Sequence, residues 1–294
     1  MSLIQLLCLI LLPVAIEGNV TVDQDKPGYS HLSSFLVSLR TVRYVRQPGD
    51  NHFCTGVLLT NRHVLTAAHC VTDIMGILMN PHRIRAVIGS RFFGNPEPVE
   101  IISRIDEIHV YPLYQRNKRD DIAVLRLRKT LNFDENHLAK VIMGNSELEV
   151  GRDCKTVGRN FGVRRHRYNT TYPLRFADVQ LRPLMDCKNS TEIKEEIDPE
   201  DEDLMCVNRR TKNYCPTDFG GPLFCDGQLY GIALGAINCS ESKPIAFSYL
   251  PTYTSWLDEV CRGSQLLSSQ WPLPLTFLIW VLVNFHYGLG PGLI

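Results

Sequence analysis

Short runs of β-branched and aromatic residues, cut by turn formers, constrain most of what this chain can fold into. They are Phe35-Leu36-Val37-Ser38-Leu39, Gly56-Val57-Leu58-Leu59, Arg85-Ala86-Val87-Ile88, Ile122-Ala123-Val124-Leu125-Arg126-Leu127 and Leu229-Tyr230-Gly231-Ile232-Ala233. Clusters such as Gln47-Pro48-Gly49-Asp50 and Gly94-Asn95-Pro96 separate them. Many short strands without interleaved long helices favour an all-β sandwich or barrel over a parallel α/β sheet. A helix is predicted over 252–261, where apolar residues recur at helical spacing. No internal repeat is visible. At 294 residues the chain is long enough for one large domain or two small ones, each with a core. A net charge of +0 gives no bulk pull toward nucleic acid or an anionic membrane, so function has to be read from sites.

The first residues point to a compartment. Residues 3–16 are almost continuously apolar and are followed by Glu17 and Gly18. That pattern reads as the apolar region of a secretory signal spanning 1–18, with a core strand as the alternative. Cleavage there removes Cys8 and leaves nine cysteines, an odd count in a disulfide-permissive setting. Sequons at Asn19, Asn169 and Asn189 fit the same route and are the expected glycosylation sites. A fourth, at Asn238, has Cys239 in its middle. The protein is expected outside the cell, secreted or on the outer face of the plasma membrane.

Two charged stretches read as solvated loops or as a partner-binding surface. Residues 192–203 carry eight acidic side chains against the single Lys194, and Arg159, Arg164, Arg165, Arg167 and Arg175 cluster among turn formers. From 263 to 294 there is no Asp, Glu, Lys or Arg. The apolar centre of this tail, 271–283, contains Pro272 and Pro274 and is short of the roughly 20 residues a spanning helix needs. Three readings stay open: a glycolipid-anchor signal, a kinked membrane segment, or a tail with neither role.

Three motifs then carry a family resemblance. Leu65-Thr66-Ala67-Ala68-His69-Cys70 looks like the histidine motif of trypsin-like serine proteases, with Cys54 upstream. Asp121-Ile122-Ala123-Val124-Leu125-Arg126-Leu127 resembles the family's aspartate strand, preceded by Ile108-His109-Val110-Tyr111-Pro112-Leu113-Tyr114. Cys215-Pro216-Thr217-Asp218-Phe219-Gly220-Gly221-Pro222-Leu223-Phe224-Cys225 stands where the family has its serine motif. The resemblance covers 34–260, within a homology domain set at 19–262, leaving 263–294 as the tail. It implies two six-stranded antiparallel β-barrels, a short C-terminal helix and an active site between the barrels. It also implies disulfides Cys54–Cys70, Cys154–Cys225, Cys187–Cys206 and Cys215–Cys239, with Cys261 left over. Neither a cofactor nor a metal is expected.

A serine hydroxyl attacks only when an imidazole takes its proton, while a buried carboxylate fixes the imidazole's tautomer. By resemblance His69 and Asp121 stand at the base and orienting positions, but Phe219 stands where the nucleophilic serine belongs. A phenyl ring has no nucleophilic atom. Losing such a serine costs about 10⁶ in turnover, which is about 8 kcal/mol of barrier. The family's neighbouring positions differ as well. Thr217 replaces the oxyanion-hole glycine, Asn213 falls at the base of the specificity pocket, and Ile245 replaces a pocket-wall glycine. Ala233-Leu234-Gly235 replaces the usual Ser-Trp-Gly edge that pairs with substrate. Family zymogens are cut after Arg or Lys to free an apolar N-terminus that pairs with the aspartate before the serine, here Asp218. Between 19 and 34 the only basic residue is Lys26, followed by Pro27, so Asp218 either has another partner or leaves the pocket zymogen-like. The expected function is that of a non-catalytic binding or regulatory protein, its partners extracellular proteins such as active proteases or their substrates. The alternative is an endopeptidase of the same family with an atypical active site.

Overall fold

The computed structural model describes residues 34–43, 51–89, 101–116, 119–133, 141–158, 175–187, 202–209, 218–234 and 244–266. Six strands close the first barrel in the order β1-β2-β3-β6-β5-β4. They are β1 Leu36–Thr41, β2 His52–Leu58, β3 His63–Thr66, β4 Ile84–Ile88, β5 Ile101–Val110 and β6 Ala123–Leu127. The second barrel closes as β10-β11-β12-β9-β8-β7. Its strands are β7 Asp153–Gly158, β8 Arg175–Arg182, β9 Leu204–Arg209, β10 Pro222–Cys225, β11 Gln228–Ala233 and β12 Ile245–Tyr249. Every pairing within the barrels is antiparallel. The expected all-β architecture of two six-stranded barrels and one C-terminal helix is therefore what the chain forms.

The continuous apolar runs of the sequence find their explanation in two-sided burial. Along β1, Leu36 to Arg40 are all buried. Leu36 packs with Val157 of β7 and Phe176 of β8, while Val37 and Leu39 belong to the first core. A strand with one face in its own barrel and the other against the neighbour has no need to alternate. The first core also takes in Phe224, Leu229 and Ile232 of the second barrel, so apolar packing continues across the seam.

The predicted helix over 252–261 is shifted. Residues Leu250–Tyr253 form a 3-10 turn with Pro251 in its first turn, and the α-helix α1 runs Thr254–Leu266. Pro251 lacks a donor and suits a helix start. Gly263 does not end the helix, and an Arg262–Asp258 ion pair at 3.1 Å lies on the turn before it. The uncharged tail thus begins inside α1, and the rest of it lies outside the described residues. Helix α1 packs back on the first barrel: Tyr253 and Leu257 are buried there, and the Tyr111 ring meets Tyr253 and Trp256 edge-on. The Tyr253 hydroxyl donates to Asp120 at 3.1 Å, and burial together with that carboxylate pushes its pKa well up. Among the described residues no helix is long and apolar enough to cross a membrane.

Candidate active site

The register of β3 on β6 builds the first half of the site. Thr66 pairs with Ala123, so the segment leaving β3 and the segment entering β6 meet at one end of the barrel. His69 sits there in a 3-10 turn, Ala68–Cys70, and the Cys54–Cys70 disulfide ties that turn to β2. Asp120, at φ 61°, turns the chain just before Asp121. The Asp121 carboxylate is buried and accepts twice from His69: the backbone N–H at 2.8 Å and Nδ1 at 2.6 Å. This contact puts a ring N–H on Nδ1 toward the carboxylate, and Nε2 lies on the far side of the ring, 3.7 Å from Cys70 Sγ. Ser248 of β12 donates to the Asp121 carbonyl at 3.4 Å, linking the pair to the second barrel.

The second half arrives on the turn before β10. Phe219 lays its ring edge-on against the His69 imidazole, with centroids 4.9 Å apart and planes at 75°. It is only partly buried and packs on the first core. Its carbonyl accepts from Thr55 N–H at 2.8 Å, and Gly220 N–H donates to Ala233 at 3.1 Å. Gly220 has φ +73°, and a Cβ there would meet the Thr55 carbonyl at 2.3 Å and Thr66 Oγ1 at 2.5 Å. Only glycine fits, both in backbone and in space.

Asp218 faces inward, 3% exposed. Its carboxylate accepts from Thr55 Oγ1 at 3.1 Å and lies 3.6 Å from His52 Nε2. His52 Nδ1 is in turn 2.8 Å from Ser38 Oγ, which accepts from Arg40 Nε at 3.0 Å. The sequence reading left open whether Asp218 has a partner within the chain. It does: Thr55 and His52 of β2, with Ser38 of β1 behind His52. Ser38, His52 and Thr55 were missed because polar residues inside apolar strand runs give no sign of which strand or turn they will face. The one available signal was Ser38 itself, a lone hydroxyl within Phe35-Leu36-Val37-Ser38-Leu39 that burial obliges to find a partner.

Ile245, at the start of β12, is 3% exposed and belongs to the second core with Val207, Phe247 and Met205. The Cys154–Cys225 and Cys187–Cys206 disulfides are formed within the second barrel. Cys261 is half-buried on α1, and burial pushes its thiol up to about 11. Cys54 and Cys70 lie close to His69 in a metal-like grouping, but their sulfurs are bonded to each other and offer no thiolate. Thr217, Asn213, Gly235, Cys215, Cys239, Asn19, Asn169 and Asn189 lie outside the described residues, as do 192–201 and most of the arginine cluster.

The arrangement holds an oriented imidazole beside a hydrocarbon ring. A proton acceptor is in place, and the group it faces carries no proton to give.

Comparison with known proteins follows the same lines. The family model described as Trypsin matches residues 25–257. Granzyme M of Rattus norvegicus is 26% identical over 269 residues, covering 89% of this chain and 92% of its own length. Trypsin of Sus scrofa is 26% identical over 251 residues, covering 83% of this chain and 99% of its own. Vaa serine proteinase homolog 1 of Vipera ammodytes ammodytes is 27% identical over 239 residues, 78% of this chain and 83% of that one. Among solved structures, kallikrein-related peptidase 10 superposes with a TM-score of 0.60 at 21% identity, over 81% of this chain and all 100% of that one.

Proposed function

We propose, from the premise that the chain belongs to the trypsin family of serine proteases, that it is a non-catalytic member acting as an extracellular binding or regulatory protein. The observation that carries this reading is the Phe219 ring lying 4.9 Å from the His69 ring, with no hydroxyl for the imidazole to activate. Three further features support it. Ile245 occupies core volume where family members keep a pocket wall open, Asp218 is engaged by Thr55 and His52, and one relative bears the name of a serine proteinase homolog. A fold built to receive an extended peptide, deprived of its chemistry, can still hold partners of active proteases. The partner class that fits is an extracellular protein, either a protease or a protease substrate. The same reading has the product leave the cell without 1–18, glycosylated at one or more of Asn19, Asn169 and Asn189.

The test is treatment of the purified protein with a fluorophosphonate probe beside a peptide-substrate assay. No labelling and no turnover are expected, because such probes react with an activated hydroxyl. The intact His69–Asp121 contact at 2.6 Å favours one rival, an endopeptidase working by an atypical route with Thr217 among the candidate nucleophiles. Stoichiometric labelling that disappears in His69→Ala would establish that rival instead.

A further inference from the structure

The sequence Asp73-Ile74-Met75-Gly76-Ile77-Leu78 puts four large apolar residues into a turn, where polar residues are the rule. The structure makes it a closed hairpin beside His69. Thr72 pairs with Leu78, Asp73 N–H donates to Ile77 at 2.9 Å, and Gly76, at φ +78°, donates to Asp73 at 3.0 Å. Arg116 braces the stem, donating to the carbonyls of Thr72 at 3.2 Å and Asp73 at 3.1 Å. On this fixed backbone Ile74 is 82% exposed, Met75 78%, Ile77 64% and Leu78 51%.

Two properties of the tip suit an apolar solvent. Three of its backbone donors are already paired: the Asp73 carboxylate accepts from the N–H groups of Met75 at 2.8 Å and Ile77 at 2.9 Å, and Gly76 N–H donates to the Asp73 carbonyl at 3.0 Å. Donors paired this way cost less on leaving water than open ones, which lowers the penalty of bringing the tip to a lipid surface. The tip also holds its apolar side chains out from the body of the protein, an arrangement a fluid surface accepts without a matching cavity. Behind it lies a trough of about 490 Å³ lined by Leu78, Val110, Tyr111, Trp256 and Val260, so the hairpin stands directly beside α1. From Val260 the helix runs six residues further to Leu266, about 9 Å at helical rise, and from Gly263 on the chain carries no Asp, Glu, Lys or Arg. The hairpin therefore stands beside the helix from which the uncharged tail leaves.

We propose that the hairpin at 73–78 is a membrane-seating element, dipping Ile74, Met75 and Ile77 into the surface of a lipid bilayer close to where the C-terminal tail departs. Stable attachment takes two signals; the hairpin is one, and the tail, where it is read as an anchor signal or membrane segment, is the other. The inference is independent of whether the chain cleaves peptides. Because the net charge is +0, insertion is apolar and depends little on anionic lipid.

The experiment uses the full chain and phosphatidylcholine vesicles, with and without phosphatidylserine. Met75→Asp with Ile77→Asp is expected to lower vesicle partition by about tenfold or more, with an unchanged melting temperature, because the side chains are exposed. In a second variant, Ile74→Trp, tryptophan emission is expected to shift to the blue and to be quenched by brominated lipid beyond the parent protein. Absent vesicle binding by the parent, equal partition of the charged variant, or no added quenching at position 74 each overturns the proposal. So does a charged variant that loses self-association rather than lipid binding, which would assign the hairpin to a second copy of the chain. The tryptophan reading stands on its own if the charged variant does not fold.

Discussion

On the first-barrel side of the site, His69 and Asp121 keep a short, doubly bonded contact, braced by the Cys54–Cys70 disulfide and by the pairing of β3 with β6. On the second-barrel side, the turn that carries Phe219 keeps its hydrogen bonds to Thr55 and Ala233, yet Phe219 itself and Ile245 of β12 are apolar. The backbone is family-like on both sides; the chemistry differs on one. The His69–Asp121 contact joins two strand ends, so it has structural value whether or not a proton is ever transferred. A nucleophile has no such second use, because a lone hydroxyl at position 219 would join no two strands. Where a residue serves both the fold and the reaction, the fold alone is reason enough to retain it.

The sharpest way to break this comparison is at the seam where the second half rests on the first. Gly220→Ala forces a side chain onto φ +73° and drives its Cβ to 2.3 Å from the Thr55 carbonyl, a backbone atom that cannot swing away. Backbone strain and overpacking together should destabilise the protein by about 4 kcal/mol. Thermal or urea unfolding measures it. A loss near zero would mean that the Phe219 turn is free to move off the first barrel, and the site would have to be described as open.

The first half can be tested by removing its carboxylate. Asp121→Ala strands the His69 backbone N–H and the ring proton in a partly buried setting, at an expected cost of about 2–3 kcal/mol. The same unfolding measurement decides. If stability is unchanged, the pair does no structural work, and its presence would argue for the endopeptidase reading.

Legibility followed the same division. Strand runs and turn formers, being local signals, sufficed for an all-β sandwich or barrel and a helix near the C-terminus; the two six-stranded barrels came from the family resemblance that the three motifs and their order carry. The positions of His69, Asp121 and Phe219 came from motif resemblance, and the structure brings the three side chains together. What stayed hidden depends on long-range pairing. The Asp218–Thr55–His52–Ser38 chain joins residues from β1, β2 and the turn before β10, separated by up to 180 positions in sequence. The hairpin at 73–78 was also invisible as a surface, because an apolar run reads as core until its exposure is known. The helix start moved to Thr254 because the segment before it takes the tighter 3-10 geometry.

The smallest expected effect is the most direct test of the second half. Phe219→Ser returns a hydroxyl beside an imidazole already oriented by Asp121, so the general base is available. Catalysis still requires stabilising the transition state more than the ground state. On the proposed reading Thr217 replaces the oxyanion-hole glycine, while Ile245 is packed into the core and Asp218 is engaged with Thr55 and His52. Turnover of peptide substrates is expected to stay at background. Phe219 is half-buried, so losing its ring against His69 and the first core should cost only about 1–2 kcal/mol, less than the 3–5 of a fully buried phenylalanine. The decisive measurement is turnover and melting temperature for Phe219→Ser beside the parent. Rates approaching those of ordinary family members would show that one side chain separates this site from a working one. The second half would then be as complete as the first.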